Sequence, residues 1–279
     1  MPELPEVEAI ARTLRPLVRG RKIRCVHVFH PVVIRPQTAA IFAKQAQGAK
    51  IENVSRGGKY LFLKLNRGLI EIHFRFDGQL LWFSNARQLL TQANREKDGI
   101  HVDIAFELDS GVLGIVDPRH LARVHVWRSE SECRPLKTLG VDALSSAFTR
   151  SLLQGELAES KQLLKKFLLD QTRIAGIGNI YSCEALWHAR LDPRRRANSV
   201  KPAEAEKLYK AIVRVLRRAL ECCLDPAPEF RDPHWWFQGL ERMVRAYQRE
   251  GLACRRCGNA IRRINQDGRS TYCCLHCQK

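Results

Sequence analysis

The amino-acid sequence predicts an α+β fold: a β-sandwich preceded by one helix, then a helical domain, then a short hairpin framed by cysteines. The first reason is an apolar stripe at helical spacing, which runs from Val7 to Val18 and stops before Gly20. The second is a series of short strand-like apolar runs separated by turn residues. The third is a change to helical periodicity, and then to paired cysteines, in the C-terminal half. Two packed sheets account for the strand-like half of the chain.

The individual elements and domains follow from these patterns. Strands are expected at residues 22–29, 60–65, 69–74, 101–107, 112–116 and 124–127. Helices are expected at residues 161–169 and 201–224. A polar stretch with Pro135 and Gly140 indicates a linker between the two halves. The expected domains are therefore a sandwich at 1–130, a linker at 131–143, a helical domain at 144–240 and a finger at 241–279.

Composition limits the possible partners. The 279 residues suggest two domains, and 45% apolar residues can form real cores. Lys and Arg exceed Asp and Glu by 18, and the pI is near 9.9, which favours nucleic acid over a membrane surface as the polyanionic partner. No long apolar run or signal peptide is found, so no membrane association is expected. The six cysteines outside the finger show no disulfide framework, which fits a reducing cytoplasm.

The chain starts Met-Pro-Glu-Leu-Pro-Glu-Val-Glu, and its second residue, Pro2, could act as a nucleophile. Removal of Met1 would leave Pro2 with a free secondary amine, and an α-amino group titrates near pH 8. Such an amine can attack a sugar aldehyde carbon and form an iminium, which is an electron sink. Glu3 supplies a carboxyl for proton transfer. The alternative is an ordinary acidic helix start, because Glu is favoured there by the helix dipole.

Four cysteines near the C-terminus have the spacing of a zinc site. They form two pairs, each with two residues between its members, and sixteen residues separate the pairs: Cys254, Cys257, Cys274 and Cys277. This spacing selects Cys274 rather than its neighbour Cys273. Asp267 and Gly268 predict a hairpin turn between the pairs. One structural zinc ion is therefore expected, and the arginines of this hairpin could contact phosphate.

Both ends of the chain together resemble the formamidopyrimidine-DNA glycosylase and endonuclease VIII family of base-excision repair enzymes. The first eight residues are similar to the formamidopyrimidine branch. The resemblance implies a bifunctional DNA glycosylase and abasic-site lyase, with Pro2 as Schiff-base nucleophile, Glu3 as acid and β,δ-elimination of the strand. It implies a structural zinc ion that takes no part in the chemistry. The implied partner is double-stranded DNA with damaged bases or abasic sites, bound by a monomer in a bacterial cytoplasm at the nucleoid.

Inside the first domain, the resemblance assigns roles to four more residues. Lys59 follows two glycines, and a family lysine at this place contacts the phosphate beside the lesion; the alternative is a hairpin turn with a surface lysine. Phe76 stands where the family often has a methionine that wedges into the duplex. Arg119 matches a residue that reaches the orphaned base. Leu121 replaces a phenylalanine wedge, which leaves opposite-base preference open.

The stretch from Asp170 to Tyr181 resembles the family's helix-two-turn-helix motif. Its two glycines precede a helix, so backbone amides are expected to face an anion. Asn179 either contacts phosphate or caps that helix, and both can hold. The resemblance also implies that Arg269, on the finger hairpin, contacts phosphate.

The resemblance breaks at 224–237, where the formamidopyrimidine branch has a Gly-Gly-Thr-Thr run before its lesion-closing loop. Here the threonines are absent and three prolines are present. Trp235 and Trp236 could stack on a base or anchor the loop in a core. Two other functions compete: a non-catalytic sensor of DNA damage, and a ribosomal or transcription-associated zinc protein. The first would lose the amine or the acid, and the second does not explain the two chain ends together.

Overall fold

The computed structural model describes residues 2–83, 85, 102–225, 230 and 240–279. The chain divides into two compact units with the predicted mixed α+β architecture. The sheet unit consists of Met1–Pro2, Glu6–Lys137 and Cys223–Gln238. The helical unit consists of Glu3–Pro5, Thr138–Cys222 and Gly239–Lys279. Trp235 and Trp236 lie outside the described residues, as do the three prolines of the divergent segment.

The sheet unit contains two four-stranded antiparallel sheets. Its strands are β1 (Ile23–Val28), β2 (Ile51–Gly57), β3 (Tyr60–Leu65), β4 (Leu69–His73), β5 (Gln79–Phe83), β6 (Val102–Leu108), β7 (Val112–Val116) and β8 (Arg123–Trp127). One sheet has the order β1-β6-β7-β5 and the other the order β2-β3-β4-β8. Every residue of β7 is buried, and four of the six in β3 are, which explains why these runs are mostly apolar; the one charged residue, Lys64 in β3, is exposed.

Helices complete the sheet unit at Leu4–Val18, Ala39–Ala46 and Arg134–Thr138. In the first of these helices the predicted apolar stripe is buried, except that Leu17 is 39% exposed. Its polar side is attached to β2, because Arg15 Nε donates to Val54 O at 2.8 Å and Arg56 Nε donates to Glu8 Oε2 at 2.9 Å. The short helix Ala39–Ala46 begins where the Thr38 hydroxyl accepts a hydrogen bond from Ile41 N.

The helical unit has a core shared by five helices and carries a hairpin. The helices are Arg150–Glu159, Leu164–Leu169, Asn179–Ala189, Pro202–Leu224 and Leu240–Met243. The remaining strands are β9 (Val141–Asp142), β10 (Ile174–Ala175), β11 (Arg262–Gln266) and β12 (Arg269–Cys273). Fully buried side chains such as Leu164, Phe167 and Leu208 form the core. The helix expected at 161–169 begins only at Leu164, because Leu163 pairs with Arg196 in a short bridge.

Among the residues that the structure describes, no helix is both long enough and apolar enough to cross a membrane.

Candidate functional site

The carboxylate of Glu3 is completely buried and bound by the start of a helix. Its Oε2 accepts from Gly178 N at 2.7 Å and from Tyr181 N at 3.4 Å, and its Oε1 accepts from Ile180 N at 2.9 Å. These amides begin the helix Asn179–Ala189, whose dipole favours negative charge at this end. The amides predicted to face an anion therefore bind one, and the anion is the protein's own carboxylate. Pro2, directly before it in the chain, is also buried.

Two glycines make room for this arrangement. A Cβ on Gly178 would stand 2.2 Å from the Glu3 carboxyl carbon. A Cβ on Gly176 would stand 2.3 Å from Leu4 Cδ1, and Gly176 also has φ +105°, which favours glycine. Leu4 N donates to Gly176 O at 3.2 Å. The paired glycines thus permit close contact with the N-terminal residues, which no local sequence pattern reveals.

Asn179 lies at the first position of this helix but does not cap it. Gly178 occupies the N-cap position, and the exposed amides are bound by Glu3 instead. The capping alternative is therefore wrong. The Asn179 side chain donates from Nδ2 to Ser270 O at 3.0 Å, which connects the helix start to β12. Nearby, burial and the charges of Glu3 and Tyr272 raise the pKa of Tyr247 to about 12, so its hydroxyl stays protonated at neutral pH.

The sequence analysis missed two buried charged residues near this helix start. Lys165 binds residues of β12, and Glu184 binds the backbone at residues 245–247. Lys165 Nζ donates to Thr271 Oγ1 at 2.7 Å and to Ser270 O at 3.1 Å. Burial lowers the pKa of Lys165. Glu184 accepts backbone hydrogen bonds from three consecutive amides, at 2.7 to 2.8 Å, just before the first cysteine pair, and burial raises its pKa. For Glu184 the available signal was a single carboxylate inside an apolar helical run, whereas Lys165 is one of two adjacent lysines and its sequence gives no such signal.

The four cysteines of the predicted zinc site come together in the helical unit. Their sulfur atoms all lie within 4.8 Å of one another: Cys254, Cys257, Cys274 and Cys277. The Sγ atoms of Cys257 and Cys274 are 3.5 Å apart, and those of Cys254 and Cys277 are 4.0 Å apart. Tetrahedral Zn²⁺ with Zn–S bonds of about 2.3 Å puts sulfur atoms ~3.8 Å apart, so the donor set fits. The protein holds one structural zinc ion here. Trp187 Nε1 also donates to Cys254 Sγ at 3.4 Å.

Cys273 is not a zinc ligand. It is fully buried and pairs with Arg262 across the hairpin of β11 and β12, and burial raises its pKa to about 11. Asp267 and Gly268 form the predicted turn with φ +50° and +74°, the pair of positive angles of a type I′ turn. Arg269 follows at the exposed end of β12. The zinc ion and the turn therefore present this arginine on a rigid hairpin.

In the sheet unit, Lys59 lies in the two-residue turn between β2 and β3, where Gly57 pairs with Tyr60. The hairpin alternative is thus the local geometry, and Gly58 allows it with φ +55°. Burial, then the charges of Arg75 and Lys59, lower the pKa of His73 to about 3. His73 is therefore neutral at pH 7, and its Nδ1 accepts from Arg75 N at 3.0 Å. This hydrogen bond lies within the turn that follows β4.

That turn presents Phe76, whose side chain is 52% exposed. The Arg119 guanidinium lies 5.1 Å from the Phe76 ring centroid and 2.5 Å from an Asp77 carboxylate oxygen. Arg119 and Leu121 share the loop after β7, which buried Asp117 shapes by accepting from Arg119 N, Leu121 N and Ala122 N at 2.7 to 3.0 Å. The structure thus brings the sequence-predicted Phe76 and Arg119 together. Exposed apolar side chains beside an arginine suit contact with bases.

The chain therefore combines a sheet unit, a helical unit with a glycine-rich helix start and a four-cysteine zinc finger. Residues 1–124 match the formamidopyrimidine-DNA glycosylase N-terminal domain, residues 139–225 its H2TH domain, and residues 251–279 the zinc finger found in FPG and IleRS. The chain belongs to the formamidopyrimidine-DNA glycosylase family.

Individual relatives agree over the full length. The chain is 36% identical to the formamidopyrimidine-DNA glycosylase of Pelotomaculum thermopropionicum over 283 residues, which cover 100% of this chain and 99% of the relative. The chain is also similar to MutM (Fpg) from Thermus thermophilus, whose crystal structure matches with a TM-score of 0.83 and 34% sequence identity. The match covers 99% of this chain and 98% of that chain. A Lactococcus lactis Fpg complex with DNA containing N7-benzyl-Fapy-dG is 27% identical with a TM-score of 0.87, covering 100% of both.

Proposed function

We propose that this DNA glycosylase of base-excision repair removes oxidised or ring-opened bases and also cleaves the abasic site, through a Schiff base on the Pro2 amine. The observation that carries the proposal is the fixed position of the Glu3 carboxylate next in the chain to Pro2, with three backbone amides holding it. A carboxyl held so firmly beside an amine suits proton transfer during attack by that amine. Structures of Lactococcus lactis Fpg with DNA containing an abasic site support the same substrate class.

The proposed reaction needs the damaged nucleotide out of the base stack. The Pro2 nitrogen then bonds to the anomeric carbon, and the bond from that carbon to the base breaks, with its electron pair leaving on the base. The Glu3 carboxylate takes the proton that the Pro2 nitrogen loses and passes it to the sugar ring oxygen as the ring opens and the iminium forms. The iminium accepts electrons when the neighbouring carbon loses a proton, and this first elimination expels one flanking phosphate. Loss of a second proton, further along the opened sugar, expels the other phosphate. Water finally releases the amine.

We assign DNA contacts to six further residues. Three of them hold phosphates around the reacting sugar: Lys59, Asn179 and Arg269. The other three fill the gap left by the base: Phe76, Arg119 and Leu121. Because its phosphate lies beside the reacting sugar, Lys59 also acts at the reacting centre. The exposure of Phe76 and the position of Arg269 at the end of a zinc-fixed hairpin support these roles. We also propose that the protein acts as a monomer in the bacterial cytoplasm, which sedimentation with lesion DNA can test.

Substituting Gly178→Ala tests the role of Glu3. The added methyl group would occupy the space of the Glu3 carboxyl, which lies at the end of a side chain and can move away. We expect base excision to fall by about 10²–10⁴-fold, the usual contribution of a positioned acid. Single-turnover excision and borohydride trapping on the same duplex measure this loss.

Gly155→Ala is the matched control, because a Cβ at Gly155 has open space and the residue lies within the helix Arg150–Glu159. It should leave excision unchanged and raise stability by up to about 1 kcal/mol. If Gly178→Ala excised bases as fast as the parent protein, the fixed Glu3 carboxyl would not be the acid.

We expect weak or absent excision of 8-oxoguanine, whereas ring-opened purines, oxidised pyrimidines, hydantoins and bare abasic sites should be processed faster. The divergent segment lacks the Gly-Gly-Thr-Thr run, and its prolines cannot donate amide hydrogen bonds to a base. A site without its specific donors loses discrimination for the base that needs them. Side-by-side single-turnover assays, with each lesion opposite cytosine, measure the order. Fastest removal of 8-oxoguanine would refute this substrate assignment and leave the reaction class intact.

A further inference from the structure

Two histidines and an aspartate form a compact cluster in the sheet unit, and no step of the proposed reaction uses it. One possible ligand atom from each of His30, Asp103 and His120 lies within 4.8 Å of the other two. His120 Nδ1 is 2.5 Å from Asp103 Oδ1, and the rings of His30 and His120 stack with centroids 4.1 Å apart. Two imidazoles and a carboxylate form the donor set that zinc and other first-row divalent metals prefer.

The carboxylate of this cluster is the unusual member. The Asp103 side chain is fully buried, and its Oδ2 has no hydrogen-bond partner among the residues that the structure describes. A buried carboxylate oxygen without a partner carries a large desolvation cost. A metal ion bound at this oxygen would remove that cost. Both histidines are partly exposed, so an ion can reach the cluster from solvent.

The backbone around the cluster holds the three side chains in place. Asp103 belongs to β6, and its carbonyl accepts from Phe29 N at 2.9 Å and from His30 N at 3.0 Å. His120 has φ +53°, an uncommon conformation for a residue other than glycine, and its amide donates to Asp117 O at 3.0 Å. The ligands therefore come from fixed backbone positions, as a binding site requires.

We propose that His30, Asp103 and His120 bind one divalent first-row transition metal ion, with Zn²⁺ as the natural ion, at a site separate from the four-cysteine finger. Nitrogen and oxygen ligands at about 2.0–2.2 Å in tetrahedral geometry lie ~3.3 Å apart. The hydrogen bond between His120 and Asp103 must therefore lose its proton and widen when the ion binds. Three protein ligands leave the fourth position to water. Because His120 lies between Arg119 and Leu121, the ion would also fix the loop that carries them.

Cobalt titration of the full-length protein, already carrying one zinc ion per chain, tests the proposal. We expect one equivalent of Co²⁺ to bind as the second metal ion of the chain and to give visible d–d bands without the charge-transfer band of a thiolate ligand. His30→Gln and His120→Gln should each weaken this binding at least ~100-fold. His27→Gln is the matched control, because His27 is a partly exposed histidine of the same unit that pairs with Glu107 instead. It should bind the second ion like the parent protein.

Asp103→Asn adds a test of the carboxylate, and the two histidine variants keep the proposal testable if that variant does not fold. Circular dichroism and a retained finger zinc ion show that each variant is folded. The proposal is overturned if the parent protein binds only one ion, or if a folded double variant of His30 and His120 keeps the second site. A thiolate charge-transfer band from the added Co²⁺ would equally overturn the proposal, because the ion would then be bound by cysteine.

Discussion

Acetylating the amine of Pro2 should abolish borohydride trapping of the protein on abasic-site DNA. An amide nitrogen is not nucleophilic, whereas a free α-amino group near its pKa of about 8 is partly neutral at physiological pH. We expect strand cleavage to fall on the order of 10³-fold or more, because loss of a nucleophile removes the covalent pathway. Gel separation of the trapped protein–DNA complex, with peptide mapping of the link to Pro2, provides the measurement.

Two controls separate chemistry from binding. Pro2→Ala after removal of Met1 keeps an amine, so partial trapping should remain. The acetylated protein should still bind a duplex that contains a stable abasic-site analogue, because the phosphate contacts assigned to Lys59 and Arg269 are unchanged. Undiminished trapping after acetylation would mean that a lysine is the nucleophile, and Lys59 would then be the first residue to substitute.

Much of the fold could be predicted because it depends on local patterns. The runs at 60–65 and 112–116 became β3 and β7 with the same bounds, since most residues of β3 and all residues of β7 are buried and the buried positions are apolar. The zinc spacing and the Asp267–Gly268 turn were equally local. By contrast, β2 was missed because its sequence, Ile-Glu-Asn-Val-Ser-Arg-Gly, has few apolar residues and only two are buried. The helix Ala39–Ala46 was missed because it is only eight residues long.

The site was less predictable because its key contacts join residues far apart in sequence. Glu3 and Gly178 are 175 positions apart, so no periodicity connects them. The glycine-rich turn correctly indicated an anion, but not that the anion is a side chain of the same protein. Asn179 had the residue type of a helix cap, yet the competing carboxylate of Glu3 already bound the amides. The contacts of Lys165 with Ser270 and Thr271 in β12 also join residues more than 100 positions apart.

Substituting one zinc ligand should strongly weaken DNA binding, whereas Pro2 acetylation removes the nucleophile of the reaction. In Cys257→Ala we expect loss of the zinc ion and unfolding of the finger, because metal binding supplies the folding free energy of such small sites. Cys257 is half-buried, so the lost side-chain packing is small and the lost ligand dominates. Cys273→Ala is the matched control: it changes the residue next to ligand Cys274 and should keep one zinc ion per chain.

Arg269→Ala separates the hairpin's charge from its fold. This variant should keep its zinc ion, bind lesion DNA more weakly, and show a salt dependence of affinity lower by about one ion, as expected for the loss of one phosphate contact. Cys257→Ala should show at least this reduction, since the unfolded finger no longer fixes Arg269. Zinc content by mass spectrometry and binding titrations at several salt concentrations measure both effects. The finger would have no role in DNA binding if zinc-free Cys257→Ala bound lesion DNA as tightly as Cys273→Ala, with the same salt dependence.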